Sequence, residues 1–134
     1  MPYTVEQIKN HIQKLRSMSD LKPEDFAEED GLADSLVQEL KRLRRDLKPT
    51  QMRKVFHAIK DMRRKVERQQ EFDRTELALI MPMLAYAVGR DLLPRDFYDV
   101  LKLCLGSERL RSREDFLRAA DFIEAVMAYH KYRN

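Results

Sequence analysis

Apolar residues recur along this chain at the three- and four-residue spacing of helices, and no stretch reads convincingly as a strand. Val5, Ile8, Ile12 and Leu15 define a first helix from about Val5 to Met18, opened by a capping box of Thr4 and Gln7. The acidic segment SDLKPEDFAEED follows and contains Pro23. It predicts a mobile loop over 19–31 with a short turn at Pro23 to Phe26. Leu32, Leu36, Leu40, Leu43 and Leu47 mark a second helix ending near Leu47. Met52, Val55, Phe56, Ile59, Met62 and Val66 mark a third, from about Thr50 to Gln70, with Pro49 where a helix start tolerates proline.

The next apolar run has a different character. LALIMPMLAYAV, from Leu77 to Val88, is apolar on nearly every side. A helix of that kind, capped by Asp73 and Glu76 and running to about Asp91, predicts the buried centre of the fold. Pro82 within it predicts a kink or a break in the hydrogen-bond ladder. Pro94 opens a fifth helix that Gly106 closes. Ser112 and Asp115 cap a sixth, which carries Phe116, Ala120, Ile123, Met127 and His130. The expected fold is all-α: a compact bundle of about five to six helices with a buried central helix, forming a single domain over residues 1–134.

Composition narrows the setting. A chain of 134 residues has the length of one domain and buries a core without metal or disulfide help. A single cysteine, Cys104, excludes an internal disulfide and a thiolate metal cluster, which fits a reducing compartment. The opening residues MPYTVEQIKN hold no signal-peptide core. The run Leu77–Val88 has 12 residues, short of the roughly 20 that span a bilayer. These features predict a cytoplasmic protein with no membrane partner.

Catalytic chemistry finds little support. His11, His57 and His130 are scattered, and none pairs at the i, i+4 spacing of a helical metal site. Cys104 lies in VLKLCLGS, on an apolar face, with no helix N-terminus near it in sequence to lower its pKa. There is no nucleophile elbow, phosphate-binding glycine loop, dinucleotide fingerprint or zinc-protease motif. Carboxylates sit where caps and loops favour them. The expectation is a non-enzyme without cofactor or metal.

Charge is where the sequence departs from an ordinary helical protein. The net charge is only +3, but the window from Gln38 to Gln70 holds 12 Lys or Arg against 4 acids. On the second helix Lys41, Arg45 and Lys48 line up, with Arg42 and Arg44 beside them; on the third, Arg53, His57, Lys60 and Arg64 form one row and Lys54, Asp61, Lys65 and Arg68 another. The short link between these helices predicts antiparallel neighbours whose basic rows merge into one strip. Solvated helix faces usually mix the two signs, whereas here cations prevail three to one and most are arginine, whose fork suits phosphate. With no Trp, and Phe56 on the apolar stripe, the strip is expected to bind a nucleic-acid backbone rather than stack bases.

The residues of that strip also resemble a known family. PTQMRKVFHAIKDM, then MPMLAYAVGRD, then FIEAVMAYHKYRN are similar, in order and spacing, to segments of the small subunit of type III-A CRISPR effector complexes, the Csm complex. The resemblance covers about residue 48 to the C-terminus, and the first 45 residues match loosely. It implies a helical, non-catalytic subunit. Several copies would stack beside the backbone subunits that hold the guide RNA and line the channel of the guide–target duplex. It also implies partnership with the large subunit. Gln51, Arg53 and Lys54 match its first motif and Arg90 closes its second. The RNA-binding candidates are therefore Lys41, Arg45, Lys48, Arg53, Lys54, Lys60, Arg64 and Arg90; for Arg90 an internal ion pair or a helix cap is an equal reading.

Two other classes are open. A helix-turn-helix regulator needs a glycine-containing turn and a polar recognition helix. EFDR at 71–74 and the apolar helix after it supply neither. A helical protein-interaction bundle outside CRISPR would use the same basic strip against an acidic partner.

Overall fold

Thr4 and Ser112 begin the first and last helices as the sequence predicts. The Thr4 hydroxyl accepts from the Gln7 amide and the Gln7 side chain accepts from the Thr4 amide. Ser112 and Asp115 repeat the arrangement. The structure, a computed structural model, describes residues 2–45, 47–69 and 74–134. Among them are α1 (Val5–Gln13), a 3-10 turn (Met18–Asp20), α2 (Pro23–Phe26), α3 (Leu32–Arg42), α4 (Pro49–Gln69), α5 (Arg74–Gly89), α6 (Arg95–Leu105) and α7 (Arg113–Arg133), and no strand. The all-α expectation holds, with one more short helix than the five to six foreseen. The predicted cap at Asp73 lies outside the described residues.

The helix at the centre is α7, not α5. It packs against α3, the 3-10 turn, α4 and α6. It buries Phe116, Ala119, Ala120, Phe122, Ile123 and Val126. Helix α5 buries only Leu77, Ile80, Leu84 and Ala87. Its other side leaves Leu79 69% and Tyr86 64% exposed, with Met83 between them. The nearly uniform apolar character of α5 therefore marks a helix with one face in the core and an apolar face in water. The helix runs on through Pro82, which is on the exposed side.

Helices α1 and α3 end earlier than their apolar patterns suggest, and hydrogen bonding accounts for these ends and for that of α5. After α3, Arg44 takes a left-handed conformation (φ 57°) and the Arg45 amide donates back to the Leu40 carbonyl at 2.7 Å. This is a Schellman closure with arginine where glycine is usual. After α5, Asp91 (φ 58°) does the same, and the Leu92 amide donates to the Ala87 carbonyl at 2.8 Å. After α1, the buried guanidinium of Arg109 donates to the carbonyls of Ile12 (2.9 Å) and Gln13 (3.0 Å) and so satisfies its last turn. Gly106 closes α6 with extended backbone. Glycine is required there because a Cβ would lie 2.9 Å from the Lys102 carbonyl oxygen.

Segment 19–31 contributes to the core. Leu21 and Phe26 are buried, and the Phe26 ring meets Phe122 edge-on, centroids 5.8 Å apart. The Ser19 amide donates to Asp115 at 2.9 Å. The α3–α4 connection is anchored too: Leu47 is buried, and His130 Nε2–H donates to its carbonyl at 2.7 Å. The described buried hydrophobic residues form one continuous cluster.

Candidate nucleic-acid interface

Helix α4 forms because Met52, Val55, Ile59, Met62 and Val66 recur along one side and bury there. The same periodicity turns Arg53, Lys54, His57, Arg64, Lys65 and Arg68 outward, where all are exposed. At about 1.5 Å per residue its 21 residues span about 30 Å. Asp61 and Glu67 are the acids exposed on that face.

The cations along α4 are not equivalent. Among the described residues, the side chains of Arg53 and Lys54 make no hydrogen bond or ion pair. Lys60 lies over the Phe56 ring, 5.1 Å from its centroid, which holds the ammonium on the helix surface. Arg64 reaches Asp61 at 3.6 Å with both side chains mostly exposed, a weak and easily exchanged pair. Lys65 is bound to Glu76 of α5 at 2.6 Å, and that hydrogen bond and charge raise its pKa. Arg63 is an internal strut. It donates to Glu67, Asp121 and Glu124, tying α4 to α7. Its burial favours loss of the charge, and the three carboxylates outweigh that and raise its pKa.

The candidates on α3 and beyond are placed differently from the expectation. Helices α3 and α4 are not packed side by side; α7 packs against both. Their basic rows therefore do not merge through a helix pair. Lys41 donates its ammonium to the Arg133 carbonyl at 2.8 Å and so serves the C-terminal end of α7. Arg45 pairs with Asp96 at the start of α6, 2.6 Å away. Lys48 is exposed and, among the described residues, unpaired. Among the described residues the Arg90 side chain makes no ion pair and donates to no helix carbonyl, although its backbone occupies the C-terminal cap position of α5. It is exposed, donates to the Tyr86 hydroxyl at 2.8 Å and stacks on that ring at 5.7 Å.

A second basic feature lies where the α3–α4 link meets the α5–α6 turn. Arg44, Arg45, Lys48 and Arg95 line a cleft of about 610 Å³ with Val88, Leu92, Leu93, Pro94 and Asp91. Sequence reasoning named Arg45 and Lys48 as candidates and placed Arg44 beside them in the basic row without selecting it; it did not point to Arg95. Arg95 is some fifty residues away, and only the fold brings it there.

Cys104 is fully buried, and burial pushes its thiol up to about 12, so it is protonated and unreactive at neutral pH. Among the described residues, no three His, Cys, Asp or Glu side chains converge as a metal site requires. Among the described residues no helix is long and apolar enough to cross a membrane.

The geometry is that of a helical protein with a cationic outer helix face and an exposed apolar one, and the family comparison meets it there. The Csm2 Type III-A family model matches residues 20–134. The chain belongs to that family. No curated protein and no solved structure matches it. Csm2 is a subunit of type III-A CRISPR effectors, so this chain is a member of an assembly with other Csm subunits. The match begins at residue 20, so it includes the acidic segment and α3 as well as the later motifs. MPMLAYAVGRD, inside the matched residues, coincides with the half-exposed helix α5 and its closing turn.

Proposed function

We propose that this Csm2 chain is a non-catalytic RNA-binding element of the type III-A effector in the cytoplasm. The outward face of α4 holds the phosphate backbone of the guide–target RNA. The observation that carries this reading is the set of exposed cations Arg53, Lys54 and Arg64 on one 30 Å helix, with Lys60 held beside them on Phe56. Lys48 precedes the same helix and is equally uncommitted. Lys41 and Arg45 have partners within the fold and are secondary contributors. Arg90 stays available through its exposed guanidinium. Such contacts release counterions, so affinity falls steeply with salt, and they carry little sequence preference.

One chain presents few phosphate contacts, so several copies stacked head to tail gain affinity through multivalency. The exposed apolar face of α5 supports the assembly part of the reading. Leu79, Met83 and Tyr86 in water are what an interface residue looks like before its partner arrives. Partners are further copies, the backbone subunits and the large subunit, with guide and target RNA in the channel between them.

The test is charge reversal at Arg53, Lys60 and Arg64 in the reassembled complex. Helicity is expected to remain and target-RNA affinity to fall by at least about tenfold. Unchanged affinity overturns the assignment. Competition by mixed-sequence RNA separates this reading from a surface for an acidic protein, which such RNA displaces poorly.

A further inference from the structure

Helices α3 and α5 end in the same way, and the two ends border one cleft. Each closes with a left-handed residue, Arg44 or Asp91, whose following amide returns to a carbonyl of the last turn. The Leu40 and Ala87 carbonyls are thereby satisfied by backbone, and no cation is required to cap them. Three side chains on the cleft are left without a role in the fold. Among the described residues, the side chains of Arg44, Lys48 and Arg95 make no hydrogen bond or ion pair, and all three residues are exposed. The fourth cation, Arg45, is held by Asp96, and Asp91 is the acid on the cleft lining. Beside the cations the wall is apolar: Val88, Leu92 and Pro94 are each only partly buried.

We infer that this cleft seats one nucleotide of a single-stranded RNA segment. Arg44, Lys48 and Arg95 hold its phosphate, and its sugar and base lie on Val88, Leu92 and Pro94. A cluster of cations alone would fit any anion. Cations beside an apolar wall, in a space of about 610 Å³, fit a ligand that is anionic at one end and flat and apolar at the other. Lys48 lines the cleft and immediately precedes α4, so the cleft adjoins the N-terminal end of the cationic helix in the chain. The inference rests on the RNA-binding reading above, but it adds a discrete seat with its own residues. Arg44 and Arg95 belong to the cleft and not to the α4 face, so the two are separable.

The experiment uses the purified full chain and a labelled 12-nucleotide mixed-sequence single-stranded RNA, followed by anisotropy at several salt concentrations. The cleft variant is R44N/R95Q; Asn tolerates the left-handed backbone at position 44. A control, K14Q/K102Q, removes two exposed charges elsewhere. The expected result is affinity about tenfold lower for R44N/R95Q, with a shallower salt slope, and little change for the control. An equal loss in both, or no loss in R44N/R95Q, overturns the seat. If R44N/R95Q is silent while R53E/K60E/R64E loses binding, the seat fails and the α4 reading stands; the reverse pattern sinks the α4 reading and keeps the seat. Backbone amide shifts distinguish the source of the phosphate. Shifts at 88–95 on adding the RNA support the inference. Shifts there with adenosine monophosphate but not with the RNA make the cleft a free-nucleotide site and overturn the RNA assignment.

Discussion

Two buried carboxylates show how single residues set the molecule's response to acid. Asp115 accepts from the amides of Ser19, Arg111 and Ser112, and so joins the 3-10 turn to the start of α7. Asp34 is fully buried and receives Arg133 through two hydrogen bonds, 2.9 and 2.6 Å. Burial by itself raises both pKa values, but these donors prevail and the net direction is downward from 3.8. In the unfolded chain the same groups bind protons more readily. Their contribution to stability is therefore complete above about pH 4 and is lost as pH falls through the depressed folded values. Urea midpoints measured from pH 6 to pH 2.5 are expected to drop below pH 4. D115N, which places an amide donor among amide donors, is expected to cost about 1–3 kcal/mol at pH 7 and to flatten that acid slope. An acid slope unchanged in D115N would rule out Asp115 as its source.

At the scale of elements, the chain ends show which terminations were readable. Capping boxes are local, so Thr4–Gln7 and Ser112–Asp115 were visible from residue type and spacing. The ends of α1 and α3 were not. One is completed by Arg109, almost a hundred positions along the chain, and the other uses a left-handed arginine that no composition rule anticipates. The glycines give a matched test. A methyl group at Gly106 meets the Lys102 carbonyl oxygen at 2.9 Å, whereas at Gly89 nothing lies within 4 Å. G106A is expected to lower stability by about 1–3 kcal/mol. G89A, in a helix, is expected to raise it by about 0.5–1 kcal/mol. Thermal melts of the two proteins check both signs.

The whole molecule places a basic helix face and an apolar helix face on its outside at once. Leu79 and Met83 are exposed, so L79E/M83E is expected to leave the isolated fold within about 0.5 kcal/mol of the parent. The same change is expected to reduce recovery with the other effector subunits. Normal recovery would remove α5 from the assembly surface. The Csm2 family match and the all-α architecture agree with what the residue pattern indicated. The candidate site was legible along α4 because charge and helical period are both local properties. It was not legible at the cleft, where Arg95 meets Arg44 only through packing.

Helix identity, the two capping boxes, the buried stripe of α4 and its cationic opposite face all follow from residue type and spacing along the chain, because an α-helix repeats every 3.6 residues whatever surrounds it. Which helix occupies the centre does not follow from spacing. By apolar content α5 was the candidate, yet it is α7 that packs against α3, α4, α6 and the 3-10 turn. Its Ala119 and Ala120, together with Phe122, Ile123 and Val126, bury completely among several neighbours, a fit that depends on side chains distant in sequence. The same packing decided which cations have partners. Arg63, Lys65 and Arg45 found carboxylates on other helices, while Arg53, Lys54, Lys48, Arg44 and Arg95 were left facing solvent.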